Sequence, residues 1–257
     1  MFTNNFDPVA FNLFAFEVRW YSLAYIFGIL FGWLYCKKFL IKDKNISSLF
    51  DDLVTYLIAG IIIGGRLGYV LFYNFKYFSQ NFIEIFFVWE GGMSFHGGLI
   101  GIIVATYIYS KKYKINKYIF LDLISVSAPI GLFFGRIANF INGELFGKVT
   151  NVKWGVIFSK IDMLPRHPSQ LYEAFLEGIM LLVIMNLIIL KKNYKIGLCS
   201  SNFLIFYGFF RIISEVFREP DTQIGYLFGA ISMGSFLSII MILIGFLILK
   251  ILKKNEI

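Results

Sequence analysis

Cysteine and histidine are scarce in this chain of 257 residues, which has two of each. Two cysteines cannot build a disulfide scaffold, and no His/Cys cluster has metal-ligand spacing, so neither a metal nor a cofactor is expected. Charge is scarce as well, with only 16% of residues Asp, Glu, Lys or Arg. Together with 58% apolar residues and a mean hydropathy of +0.72, this excludes a soluble domain of equal length and describes a polytopic membrane protein. The first nineteen residues have no basic start followed by an apolar stretch, so no cleavable signal peptide is expected.

What the chain has instead is long apolar runs. Seven segments approach or reach the roughly 20 residues that cross a hydrocarbon core. They are 20–36, 53–73, 92–109, 119–141, 171–190, 198–217 and 231–249, and they predict an all-α fold of seven transmembrane helices. The chain reads as one integral-membrane domain, 1–257, with a short periplasmic segment at 142–168. The net charge of +8 does not mark a nucleic-acid binder, because it is sorted by side. Fourteen of the 24 basic residues follow the odd-numbered spans, among them Lys37, Lys38, Lys111, Lys112, Lys191, Lys192, Lys253 and Lys254. The positive-inside rule puts that side and the C-terminus in the cytoplasm and the N-terminus outside. Cys36 and Cys199 fall near cytoplasmic span ends and read as small packing residues.

Against this apolar background the polar residues stand out. An arginine at the bilayer centre costs about 2.5–3.5 kcal/mol on insertion scales, so an intramembrane charge is a functional hypothesis by default. The second, fourth and sixth spans carry Arg66, Arg136 and Arg211, each 13 to 17 residues beyond its span's inner end. At about 1.5 Å per residue all three lie roughly 20–25 Å up, in the outer half. Tyr21, His96, Glu144, Glu173 and Glu215 fall at the same level. The economical account is one outer-half polar cavity in which carboxylates partly neutralise the arginines.

Individual residues have structural readings too. Glu173 and Glu177, one turn apart, read as helix-holding partners of an arginine, Arg66 as a bridge between helices, and Asp122 as a helix-end or packing residue. Glu215 and Arg218 could pair with each other, and His167 reads as orienting. Pro168 and Ser169 are expected to cap the fifth span. Residues 135–147 read Gly-Arg-Ile-Ala-Asn-Phe-Ile-Asn-Gly-Glu-Leu-Phe-Gly, and Arg136, Asn139, Gly143 and Gly147 share one face if helical turns continue. The guanidinium fork suits phosphate, so an arginine-rich, lipid-accessible pocket suits a phospholipid head. His96 is flanked by paired glycines in Gly-Gly-Met-Ser-Phe-His-Gly-Gly, which leaves its imidazole accessible.

These stretches, with Arg166-His-Pro-Ser-Gln-Leu-Tyr-Glu173, Trp20-Tyr21 and Tyr207-Gly-Phe-Phe-Arg-Ile-Ile-Ser-Glu215, resemble the prolipoprotein diacylglyceryl transferase family. The family pattern Gly-Arg-x-Gly/Ala-Asn-Phe-x-Asn-x-Glu-x-x-Gly is met at every fixed position from Gly135 to Gly147. One departure is the segment between Gly147 and Arg166, eighteen residues long and shorter than in many members. The resemblance implies transfer of the diacylglyceryl group of phosphatidylglycerol to the lipobox cysteine thiol of a prolipoprotein signal peptide, in the bacterial inner membrane and on its periplasmic side. The nucleophile belongs to the substrate, and glycerol phosphate leaves.

A free thiol has a pKa of about 8.5, so a base is useful. His96 is the candidate, with Tyr21 or water as rivals. Arg136 and Arg211 would stabilise the departing phosphate. Asn139 and Glu144 would orient the glycerol head group, and Tyr207 would hydrogen-bond near the reacting carbon. Two competing classes are a secondary transporter for an anionic solute and a purely structural membrane protein. The first needs polar residues through the inner half, where there is little beyond Asp122. The second leaves three buried arginines unexplained.

Overall fold

In hydrocarbon every backbone amide must be satisfied internally, so runs of Ile, Leu and Phe fold as helices. The computed structural model describes residues 1–14, 16–220, 226–227 and 231–254. Its helices are α1 (Trp20–Tyr35), α2 (Lys44–Phe72), α3 (Phe75–Phe78), α4 (Phe95–Lys112), α5 (Lys117–Asn142), α6 (Ser169–Glu173), α7 (Leu181–Ile189), α8 (Leu198–Glu215) and α9 (Met233–Lys254). A wider π-helical stretch, Ala174–Met180, joins α6 to α7 in one rod.

Among the described residues, five helical stretches are long and apolar enough to cross a membrane: Trp20–Leu40, Lys44–Phe72, Lys117–Asn142, Ser169–Ile189 and Met233–Lys254. This is a polytopic membrane protein. The third and sixth expected spans are helical too, as α4 and α8, but each has only 18 residues. Polar side chains such as His96, Lys111 and Lys112 in α4, and Asn202, Arg211 and Glu215 in α8, leave them less apolar than the five.

The fold is mostly helical and not purely so. Short strands are β1 (Phe2–Asn4), β2 (Val9–Leu13), β3 (Phe16–Arg19), β4 (Val156–Phe158), β5 (Pro165–Arg166), β6 (Tyr226–Leu227) and β7 (Ile231–Ser232). β1 pairs parallel to β4, which pairs antiparallel to β5, while β2–β3 and β6–β7 are antiparallel pairs. They lie outside the spans, where the backbone has no helical partner to use.

The chain divides into two compact units, Lys37–Leu121 and Met1–Cys36 with Asp122–Ile257. In the first, Asp43 caps α2 by accepting from the Asn45 and Ile46 amides at 2.7 and 3.1 Å. Further along, α2 meets α4 through facing glycines, as small residues let membrane helices approach closely. A Cβ on Gly64 would fall 2.9 Å from the Gly101 Cα, and one on Gly68 2.7 Å from the Gly97 Cα. In the second unit, a Cβ on Gly28 of α1 would fall 2.8 Å from Gly131 Cα of α5, and one on Gly208 of α8 2.7 Å from the Ser238 carbonyl of α9.

Asp122, expected at a helix end, is buried and serves the end of another helix. Its carboxylate accepts from the Gly197 and Ser200 amides at 2.5 and 2.7 Å and from the Tyr194 hydroxyl, satisfying donors at the start of α8. Cys36 and Cys199 are free and buried, in keeping with packing roles.

The glycine contact carries a direct expectation. A Cβ at Gly101 would overlap the Gly60 carbonyl, whereas one at Gly98 meets only Ile61 atoms at 3.8 and 3.9 Å. Gly101→Ala should therefore lower unfolding stability in detergent by about 1–3 kcal/mol, and Gly98→Ala by under about 0.5 kcal/mol. Equal losses in a thermal-unfolding comparison would contradict glycine packing as the α2–α4 contact.

Candidate functional site

Three arginines and three glutamates meet inside the unit that contains α5, α6 and α8. Glu173, the last residue of α6, and Glu177, four residues on in the widened turn, are both fully buried. Glu173 Oε1 accepts from Arg211 Nη1 at 2.6 Å and from Arg218 Nη1 at 3.3 Å. Its other oxygen lies 2.8 Å from Arg136 Nη1, a charge contact off hydrogen-bond alignment. Glu177 Oε2 accepts from Arg136 Nε and Nη2 at 3.1 and 2.9 Å, while its Oε1 has only a 3.6 Å charge contact with Arg211. Glu215, one turn after Arg211, accepts from Arg211 Nη2 and lies 4.0 Å from Arg218 Nε. Among the described residues, three guanidinium groups thus meet three carboxylates, the kind of pairing that burial in low dielectric demands.

The expected neutralisation of the arginines by Glu173 and Glu177 is therefore present, and the Glu215–Arg218 pairing is one edge of a larger network. Arg218 is the member whose reach into that network sequence reasoning missed. Its signal was the spacing of seven from Arg211, which returns a helical side chain to the same face.

The segment after Arg136 departs from the expected continuous face. α5 ends at Asn142, and Gly143 and Leu145 take left-handed conformations with φ of +74° and +54°. Arg136 and Asn139 share the helix, while Glu144 folds back so that Asn139 Nδ2 and Asn142 Nδ2 donate to it at 3.4 and 3.3 Å. Gln170 Nε2 donates to the Glu144 carbonyl at 2.5 Å and Asn4 Nδ2 to the Phe140 carbonyl at 2.5 Å. Gly147 passes between two backbones: a Cβ there would lie 2.8 Å from the Phe217 carbonyl, and its amide donates to His167 O at 3.0 Å. This stretch is thus a stitched turn.

Ser169 does not cap α6 as expected. No side chain caps that helix, and Ser169 Oγ donates instead to the Leu145 carbonyl at 2.9 Å. Ser169 is already the first residue of α6 and Pro168, which has no side-chain acceptor, holds the N-cap position. His167, read as orienting, has its Nδ1 3.2 Å from the Tyr172 hydroxyl.

Tyr207, buried one turn before Arg211 on α8, stacks on Phe203 with ring centroids 5.7 Å apart. Tyr21, the second residue of α1, meets Tyr25 edge to face at 5.1 Å.

His96 lies in the other unit, in the first turn of α4, where Ser94 accepts from the Gly97 amide at 3.2 Å. Arg66 is in that unit too, and its guanidinium serves the chain's own backbone. It donates to the carbonyls of Ile85 and Glu84 at 2.9 and 2.6 Å and to Gly91, and its plane lies 5.0 Å from the Phe78 ring. It braces a loop, close to the bridging role expected.

A multi-pass membrane protein with a buried, charge-balanced arginine–carboxylate network is the class these observations define. The model of the family Prolipoprotein diacylglyceryl transferase matches residues 8–251. A phosphatidylglycerol–prolipoprotein diacylglyceryl transferase of Rickettsia bellii is 54% identical over 256 residues, covering 96% of this chain and 95% of its own. Those of Rickettsia typhi and Rickettsia felis are each 50% identical, the first covering 99% of this chain and 100% of its own, the second 94% and 95%. The chain belongs to the prolipoprotein diacylglyceryl transferase family.

Two outcomes follow from the network and its rim. Glu173→Gln keeps the shape but leaves three guanidiniums facing two carboxylates, and should cost about 3–5 kcal/mol in thermal unfolding; wild-type stability would contradict the shared-carboxylate account. At the rim, burial and the neighbouring Lys148 charge hold the His167 imidazole below its usual pKa. The unfolded chain therefore binds this proton first, so stability should fall as pH drops from about 6.5 through the lowered value. His167→Gln should flatten that part of the stability–pH curve, and an unchanged slope would contradict it.

Proposed function

We propose that this chain transfers the diacylglyceryl group of phosphatidylglycerol to the lipobox cysteine thiol of prolipoproteins, the first step of bacterial lipoprotein maturation. The substrate sulfur attacks the glycerol carbon bonded to phosphate oxygen. A C–S bond forms, the C–O bond breaks with its electrons moving to the phosphate, and glycerol phosphate leaves as an anion. The thiol proton goes to a base: His96 in the first instance, with Tyr21 or water as the alternatives.

The observation that carries the reading is the shared grip of Glu173 on Arg136 and Arg211, which holds two guanidiniums together within a membrane protein. A phosphate diester that reaches these two guanidiniums while Glu173 still holds them needs little new desolvation of the cations, because they are already ordered and dehydrated. Asn139 and Glu144, tied into the turn after α5, are the proposed head-group contacts, with Tyr207 placed by α8 beside Arg211. Among the described residues no metal-binding cluster is present, and the mechanism asks for none.

The whole chain acts, in this proposal, as one integral-membrane domain of seven spans, α4 and α8 completing the five longer ones. The lysine-rich ends face the cytoplasm and the arginine network faces the periplasmic side of the inner membrane. Phosphatidylglycerol enters laterally from the lipid, and the signal peptide arrives from the translocated side.

Arg136→Ala should reduce transfer to a lipobox peptide in phosphatidylglycerol vesicles by at least about a hundredfold, the scale of losing one charge-stabilising group. Arg136→Lys should recover only part of it, since a point charge lacks the planar fork. Wild-type transfer by correctly folded Arg136→Ala protein would remove Arg136 from the mechanism.

A further inference from the structure

A second place where cations meet an apolar surface lies at the lysine-bearing end of the α8–α9 pair, outside the arginine network. A cavity of about 200 Å³ is lined by Lys195, Ile196, Leu198, Leu249, Leu252 and Lys253. Its walls come from the loop before α8 and the last turns of α9. Gly197 makes the loop possible: its φ is +95°, and a Cβ there would come 2.8 Å from a Leu252 methyl carbon. The loop is held from beneath by Asp122, whose carboxylate takes the Gly197 and Ser200 amides.

The depth of this cavity follows from helix length. α9 has 22 residues, from Met233 to Lys254, so its last turn reaches the membrane–water interface when its body crosses the hydrocarbon. Four aliphatic side chains with two ammonium groups at that level complement one kind of molecule. A lipid with net negative charge can place its phosphate between the lysines and its acyl chain along Leu198, Leu249 and Leu252. A zwitterionic lipid brings its own ammonium group to the same rim and gains less.

We propose that this cavity binds one anionic phospholipid from the leaflet on the lysine side. Such a lipid would brace the start of α8, the helix that carries Tyr207 and Arg211. The site is separate from the substrate-binding role given above and does not depend on it.

Native mass spectrometry of the full chain, released from micelles containing phosphatidic acid or phosphatidylcholine, tests this directly. The wild-type chain should retain one phosphatidic acid in excess of phosphatidylcholine. Lys195→Gln with Lys253→Gln should weaken that retention roughly thirtyfold, from the loss of two interfacial charges. Leu252→Trp, which fills the slot and keeps both lysines, should weaken it by about tenfold or more. Lys191→Gln with Lys192→Gln removes equal charge outside the cavity and should leave retention within about twofold. The proposal is overturned if the Lys195/Lys253 variant matches wild type, or if the Lys191/Lys192 variant loses as much, which would mean a diffuse charge effect. Unaltered retention by Leu252→Trp, or equal retention of the two lipids by wild type, would overturn it as well.

Discussion

The Glu173 carboxylate is the point on which the larger unit turns. It is fully buried, and three guanidiniums from two regions of the chain reach it: Arg136 from α5, Arg211 from α8 and Arg218 just beyond α8. None of these charges could sit in a membrane protein's interior alone, because desolvation would exceed what isolated hydrogen bonds return. Matched three against three, they tie α5, α6 and α8 together. The π-helical stretch that begins immediately after Glu173 is the local adjustment that accompanies this pairing, as such turns often do at functional sites.

That arrangement also accounts for how a phosphate could be received. Arg136 and Arg211 are not free cations awaiting a ligand; each is already ordered against carboxylates, and in the proposed function a diester head adds to contacts that Glu173 continues to hold. The stitched turn of residues 139–147 and the end of α8 share backbone hydrogen bonds, Lys148 N to Phe217 O at 2.8 Å and Glu219 N to Phe146 O at 3.1 Å.

Much of this was legible in the sequence, and what was not has identifiable causes. Arg136, Arg211, Glu173 and Glu177 were visible because charge is rare against an apolar background, and counting residues along spans suggested that they fall at one level. Arg66 was visible as a charge, while its loop-bracing carbonyl contacts with Glu84 and Ile85 come from a backbone that no side-chain pattern encodes. The end of the fourth span at 141 was legible to within one residue of Asn142, while the shared face drawn on through Gly143 to Gly147 held only if helical turns continued, and positive φ breaks them there. Ser169 was read as a cap by local rule, and a non-local carbonyl, Leu145 O, took its hydroxyl. Asp122 was placed at its own helix's end, yet it serves the start of α8, which a linear reading cannot see.

The central claim is that Arg136 and Arg211, held by Glu173, contact the phosphate of phosphatidylglycerol. Solid-state NMR measures this most directly, through dipolar coupling between lipid ³¹P and ¹⁵N-labelled arginine side chains in phosphatidylglycerol bilayers. The account predicts contact-range coupling that falls when Arg136 or Arg211 is replaced by lysine. Absent coupling in the wild-type chain, or coupling indifferent to both replacements, would contradict it.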